Sequence, residues 1–327
     1  MIISRTPLRI SFFGGGTDYP LWYTKFGGSV LSTTIDKYSY ITARHLPPFF
    51  DYKYKIRYYL REETKNIEEI KHPVVRESLK YLKYSLPLEI VHHADLPARS
   101  GLGSSSTFTV GLLKTLYALN NKMIGKRDLA LKAINLEQNI LKENVGSQDQ
   151  VSASFGGFNK ITFGGLNKIL VEPIILRNDN LKKLETNLML FFTGFSRTAS
   201  KIVSTQLKLI DKKEKELILM SKYVDESIKI LNSHKKNIDD FGLLLSDQWK
   251  LKKSLSPLIT NSKIDQIYNL GIKSGALGGK LLGAGGGGFI LFYVPKKNKK
   301  NVRAKLKNFL EVPFEFEYTG SQIIYYS

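Results

Sequence analysis

The run Leu96-Pro97-Ala98-Arg99-Ser100-Gly101-Leu102-Gly103-Ser104-Ser105-Ser106-Thr107 has the residue types that hold phosphate. Gly101 and Gly103 can take backbone angles closed to other residues, and the serines after them can cap a helix while leaving its first amides free. Free N–H groups and the helix dipole together favour a bound anion. A hydroxyl from Ser104 or Ser105 can also reach a magnesium ion carried by a nucleotide. No lysine follows the second glycine, so this is not a Walker A loop, and an ordinary Gly-Ser helix cap is the plain alternative.

Two more glycine-rich runs flank this chemistry. Gly278 to Phe289 holds seven glycines around Lys280-Leu281-Leu282 and Ala284, a density that costs stability unless backbones must approach closely. A turn before a strand at Phe289 is its bland reading. Phe13-Gly14-Gly15-Gly16-Thr17-Asp18-Tyr19 sets a carboxylate just past a glycine turn, placed to accept bonds from sugar hydroxyls or to close an Asx turn.

Two further acids stand out. Glu137 shares a helical stripe with Ala133, Leu136, Ile140 and Leu141, so its carboxylate points toward packed surface and needs a cation or a rim position. Asp149 lies in Gly146-Ser147-Gln148-Asp149-Gln150, a glycine-flanked loop able to hold a catalytic carboxylate or simply a turn aspartate. His92 and His93 are neighbours on a strand and face opposite ways, so they cannot share a metal, and the histidines read as structural.

The elements that must position these groups mix strands and helices in both halves. Strand patterns cover 2–13, 29–43, 54–60, 86–92, 188–192, 289–294 and 320–326, with short strands over 151–171. Helical spacing covers 104–119, 129–142, 199–232, 237–255 and 264–274. A polar break at 172–184 marks the junction between a domain of residues 1–178 and one of 179–327. Without regular βαβ alternation, the class is α+β.

Composition narrows the function. The 327 residues contain no cysteine, excluding disulfides, thiolate zinc sites and a cysteine nucleophile. No run approaches the ~20 apolar residues of a membrane span and the N-terminus lacks a signal-like apolar stretch, so the cytoplasm is expected and a membrane partner is not. Lys plus Arg number 49 against 29 Asp plus Glu, a net charge of +20, yet the basic residues are scattered and lack interleaved aromatics. That distribution argues against a dedicated nucleic-acid site; a basic field also concentrates anionic substrates such as nucleotides and sugar phosphates, and charge alone does not choose between the two.

These pieces follow the order and spacing of the superfamily named for galactokinase, homoserine kinase, mevalonate kinase and phosphomevalonate kinase, the GHMP kinases. The chain resembles that family at Pro7-Leu8-Arg9-Ile10-Ser11-Phe12-Phe13 through Asp18, at Pro97 to Ser106 and at Leu282 to Phe289, and the match covers nearly the whole chain. Val145 to Gln150 and Thr193 to Ser200 are similar to the members that act on sugar phosphates. Gly14-Gly15-Gly16 departs from the glycine, glutamate, histidine run of galactokinases.

The resemblance implies an α+β, two-domain architecture, with a left-handed βαβ unit in the N-terminal domain, a ferredoxin-like C-terminal domain and the active site between them. It implies that Gly101, Leu102, Gly103, Ser104, Ser105 and Ser106 wrap the phosphates of ATP, with Ser105 and Glu137 on Mg²⁺. Asp149 would deprotonate or orient the attacking hydroxyl beside Arg9. Gly15, Gly16, Thr17 and Asp18 would bind the sugar, near Gly285 and Gly286. A phosphate already on the sugar needs a cationic pocket; Arg197 and Arg44 are the candidates, each otherwise a surface charge, with Lys280 a third that stands nearer the nucleotide. The partners implied are ATP and a sugar phosphate.

Overall fold

The computed structural model describes residues 1–164, 168–195, 199–233 and 237–327. The chain opens with β1 (Ile2–Phe13), a short α1 (Pro20–Phe26) and the 18-residue β2 (Gly28–His45). Next come β3 (Tyr54–Arg57), β4 (Arg61–Thr64), α2 (Pro73–Tyr81) and β5 (Leu88–Ala94). Helices α3 (Ser104–Leu119), α4 (Lys126–Asn135) and α5 (Gln148–Phe155) precede the antiparallel pair β6 (Phe158–Phe163) and β7 (Ile169–Pro173).

The second half runs α6 (Asn178–Asn187), β8 (Leu188–Phe192), α7 (Ala199–Lys208), α8 (Glu214–Asn232), α9 (Asp240–Ser254) and α10 (Ser262–Lys273). It continues with β9 (Gly278–Leu281), β10 (Phe289–Tyr293) and α11 (Lys299–Lys305). Three short strands end the chain: β11 (Leu310–Glu311), β12 (Phe316–Glu317) and β13 (Gln322–Tyr326).

Among the described residues these strands form two sheets, and α+β is the class observed. The larger follows the order β13-β1-β2-β5-β3-β4, with β6 and β12 also on β2 and β7 on β6. Its pairs are antiparallel except β3 with β5, between which the chain runs through β4 and α2. The smaller has the order β11-β8-β10-β9. The chain's end thus returns to the sheet that its first residues began, through β13 on β1 and β12 on β2.

β1 records in its own sequence how it is covered. Its first four residues alternate between buried and half-buried, and from Thr6 onward every residue is buried. The change marks where the second half closes over the sheet: Phe12 and Phe13 pack edge-on against Phe241 of α9, with ring centroids 5.5 and 5.1 Å apart. Leu8 and Ile10 share that core with Leu190 and Leu291 of the smaller sheet. Burying each such side chain contributes roughly 1.5–3 kcal/mol, so this core fixes the end of β1, and the loop after it, against both halves.

The structure departs from the sequence reading at several places, among them helices α1, α2 and α11, which it did not include. Residues 148–155 are a helix rather than loop and strand, ended by Gly156 at φ +68°; its residues are buried on every side, which erased any helical stripe. The expected helix over 199–232 is broken by a 3₁₀ turn at Ile210–Lys213. Residues 178–187, which overlap the expected junction, form α6 with Leu184 buried. The glycine-rich run from Gly278, whose bland reading is a turn, begins as β9, whose four residues are all buried.

Candidate active site

Arg9 ties the first glycine motif to the second. Its backbone N–H donates to the Leu102 carbonyl at 3.1 Å, and Nη1 donates to the Gly101 carbonyl at 2.7 Å. The rest of the guanidinium forms a two-pronged pair with Asp149: Nε to Oδ1 and Nη2 to Oδ2, both 2.8 Å. A fork of this kind fixes direction as well as distance. Asp149 lies in the first turn of α5, where the helix dipole favours its charge. Gln148, held by the Ser11 hydroxyl at 2.8 Å, donates to the same carboxylate at 3.2 Å.

The second and third glycine motifs meet backbone to backbone. Gly101 has φ +86°, and a Cβ there would stand 2.4 Å from the Leu282 carbonyl oxygen; one on Gly283, at φ +75°, would stand 2.5 Å from Gly101 Cα. No side chain fits between them. Gly101→Ala combines an unfavourable left-handed angle with that collision and is expected to cost on the order of 2–4 kcal/mol. Equilibrium denaturation checks the cost, and a raised KM for ATP accompanies it.

Beyond Gly103, α3 begins with Ser104, Ser105 and Ser106 facing a cavity of about 570 Å³. The first bond within the helix runs from the Thr107 amide to the Gly103 carbonyl, leaving the serine amides free for an anion. The Ser104 hydroxyl accepts the Arg99 amide and closes the loop, while Ser105 stays exposed in the cavity.

The hydroxyl that meets Glu137 is Ser106's, donating to Oε2 at 2.8 Å. The helix carrying Glu137 switches to a π turn at Leu136–Ile140 directly after α4, a distortion that re-aims side chains and often marks functional positions. Gln150 of α5 donates to the same Oε2, while Oε1 is buried and, among the described residues, has no hydrogen-bond partner. Burial pushes the Glu137 carboxyl up to about 7, against the nearby polar groups of Thr109, Ser106 and Gln150, which favour the charge. An orphaned carboxylate oxygen beside a serine hydroxyl at the cavity wall suits a hard divalent cation.

Asp18, which lines the same cavity, accepts the Gly16 amide at 2.9 Å. Burial raises its pKa and Asp149 adds to this; the Gly16 N–H and Lys252 act the other way. Gly15, Gly16, Lys280 and Gly285 line the same cavity. Lys280 donates to the Ser11 and Phe12 carbonyls at 2.8 and 2.9 Å, and burial, with Lys252 and Arg9 nearby, pulls it well below the usual lysine range.

Several expected residues serve the walls instead. Leu102 is fully buried behind Arg9, and the Thr17 hydroxyl donates to the Gly14 and Ser29 carbonyls, bracing the turn. Gly286 gives its amide to Ile259. Arg44 is away from the cavity: it ends β2 in an ion pair with Glu89 at 2.6 Å, ten residues along from Thr34, the register partner of Arg9. At ~3.3 Å per residue that is on the order of 30 Å. Arg197 lies outside the described residues.

The sequence reading missed three basic residues of the cavity, Arg99, Lys142 and Lys252. Lys252 left a signal: Leu245, Gln248, Trp249 and Lys252 stand at i, i+3, i+4 and i+7, placing a lysine on the buried stripe of α9.

Comparison with known proteins agrees with this geometry. The sequence profile for the GHMP kinases N terminal domain matches residues 70–157, and that for GHMP kinases C terminal matches 226–312. A D-glycero-alpha-D-manno-heptose 7-phosphate kinase from Campylobacter jejuni is 32% identical, covering 97% of this chain and 96% of its own. The chain belongs to the GHMP kinases. It is therefore an ATP-dependent kinase. A bifunctional fucokinase/GDP-fucose pyrophosphorylase from Arabidopsis thaliana is 25% identical over 93% of this chain, which spans 31% of that protein. The fold of this GHMP kinase superimposes on a D-glycero-D-manno-heptose 1-phosphate kinase from Bacteroides thetaiotaomicron with a TM-score of 0.81, both chains being fully covered, at 24% identity.

As a GHMP kinase site the cavity has two walls with different chemistry. One offers free amides and hydroxyls; the other offers a carboxylate and two buried lysines. Arg9 and Asp149 line the same cavity.

Proposed function

We propose that this kinase transfers the γ-phosphoryl group of ATP to the anomeric C1 hydroxyl of D-glycero-D-manno-heptose 7-phosphate, giving the 1,7-bisphosphate, a step in nucleotide-activated heptose biosynthesis. The single observation that carries the chemistry is the Arg9–Asp149 fork, aimed into the cavity beside the open N-terminus of α3. The Campylobacter relative supports the choice of acceptor.

In this reading the amides of Gly101 to Ser106 bind the ATP phosphates, and Asp18 with Gly15 and Gly16 orients the sugar hydroxyls. Asp149 takes, or points, the proton of the C1 hydroxyl as its oxygen bonds to the γ-phosphorus. The bond from that phosphorus to the β-γ bridging oxygen breaks and ADP leaves. Arg9 holds Asp149 in place and faces the negative charge that spreads over the transferring group. Glu137 and Ser106, with Ser105 at the wall, would hold a Mg²⁺ that, when bound, neutralises phosphate charge. Residues 1–178 supply the nucleotide wall and 179–327 supply Lys252 and Lys280.

A fucokinase-like enzyme acting on a free sugar is the competing assignment, suggested by the Arabidopsis relative. ADP release measured across heptose 7-phosphate, free heptose, fucose, galactose and mevalonate separates them. The expected result is a kcat/KM for heptose 7-phosphate at least ~100-fold above every free sugar; a higher value for fucose would reverse the assignment.

A further inference from the structure

The two lysines of the acceptor wall are held differently. Lys280 gives two of its three N–H groups to backbone carbonyls. Lys252, on α9, is only 6% exposed, and among the described residues its Nζ has no hydrogen-bond or ion-pair partner; its remaining surface opens into the cavity. The acids nearest in charge are already engaged, Asp18 by the Gly16 amide and Asp149 by the Arg9 fork.

A buried ammonium without a partner destabilises a fold, and burial accordingly lowers its pKa, with Asp18 the strongest opposing influence. The arrangement is more costly still because Lys252 is also the charge that most strongly repels Lys280. Two buried cations that repel each other fit a site completed by a dianion. The phosphates of ATP already have the amides of α3, whereas Lys252 is closest in charge to Asp18, on the sugar side.

Resting on the function proposed above, we propose that Lys252, supported by Lys280, is the specificity-determining residue that grips the phosphate already carried by the acceptor sugar. The 7-phosphate then fixes the far end of the heptose, leaving C1 at Asp149. Free sugars lack the group that would pair Lys252 and leave a buried charge uncompensated, which makes the site selective by exclusion as well as by attraction.

Lys252→Met tests this, because methionine keeps much of the side chain's length without its charge. The KM for heptose 7-phosphate is expected to rise roughly 10- to 150-fold, the loss of one charge-assisted contact, with the KM for ATP changed by less than about threefold. The preference for heptose 7-phosphate over free heptose should shrink by the same factor, and the ligand-free Tm should stay level or rise. Lys252→Arg should recover part of the preference. Lys252→Gln replaces the Met variant if that does not purify. An unchanged preference, or equal losses with both acceptors and with ATP, would overturn the proposal. A wild-type enzyme with no preference for the sugar phosphate would instead refute the proposed function itself.

Discussion

Asp149→Asn is expected to lower kcat about 10³-fold while leaving the KM for ATP within about threefold of wild type. The substitution preserves size but removes the charge that accepts or directs the proton of the attacking hydroxyl, and positioned acid–base groups contribute roughly 10² to 10⁴. It also replaces one oxygen of the Arg9 fork with an amide donor, so one of two 2.8 Å bonds becomes a donor facing a donor. Arg9, buried, would keep its bond to the Gly101 carbonyl and lose the counter-charge of its fork. In the proposed function ATP is bound by the amides of α3 rather than by Asp149, which is why nucleotide affinity should survive. Steady-state kinetics with a Tm control provide the check, and a kcat within about threefold of wild type would remove Asp149 from the chemistry.

Glu137→Gln should shift the magnesium dependence of turnover to concentrations roughly 10- to 100-fold higher. The carboxylate's Oε2 is occupied by Ser106 and Gln150, and its orphaned Oε1 is the oxygen left for a cation; an amide there offers no charge. A second readout needs no turnover. Because burial raises the Glu137 pKa to about 7 from an ordinary 4.5, the folded protein holds this proton more tightly than the unfolded chain. Its contribution is complete below about pH 4.5 and is lost as the pH climbs through 7, a change of up to ~3 kcal/mol without metal. Urea titrations between pH 5 and 8 should show that slope in wild type and its loss in Glu137→Gln. An unchanged magnesium titration would return Glu137 to a structural role.

The site was legible where chemistry and spacing coincide. Glycines before serines gave the open end of α3, and an acid on a packed stripe marked Glu137. The close meeting of Gly101 with Gly283 accounts for a glycine density that composition alone makes costly. What stayed hidden depended on distant neighbours. Which serine faces Glu137 is decided by the π turn after α4, and a local pattern cannot foresee that register. Arg44 offers the right chemistry at the wrong end of an 18-residue strand, a fact set by its pairing with Glu89. α5 escaped notice because both its faces are covered, so no polar stripe contrasts with a buried one. Lys252 was readable on the helical stripe of α9, but only tertiary packing shows that the stripe's lysine opens into the cavity.

Phosphorus NMR of the product formed from ATP and D-glycero-D-manno-heptose 7-phosphate tests the central claim most directly. The predicted spectrum gains one sugar phosphate resonance coupled to the anomeric proton, keeps the original 7-phosphate signal and shows ADP in equal amount. ADP accumulating with no anomeric phosphate, or a free sugar phosphorylated in preference to the heptose 7-phosphate under the same conditions, would contradict it.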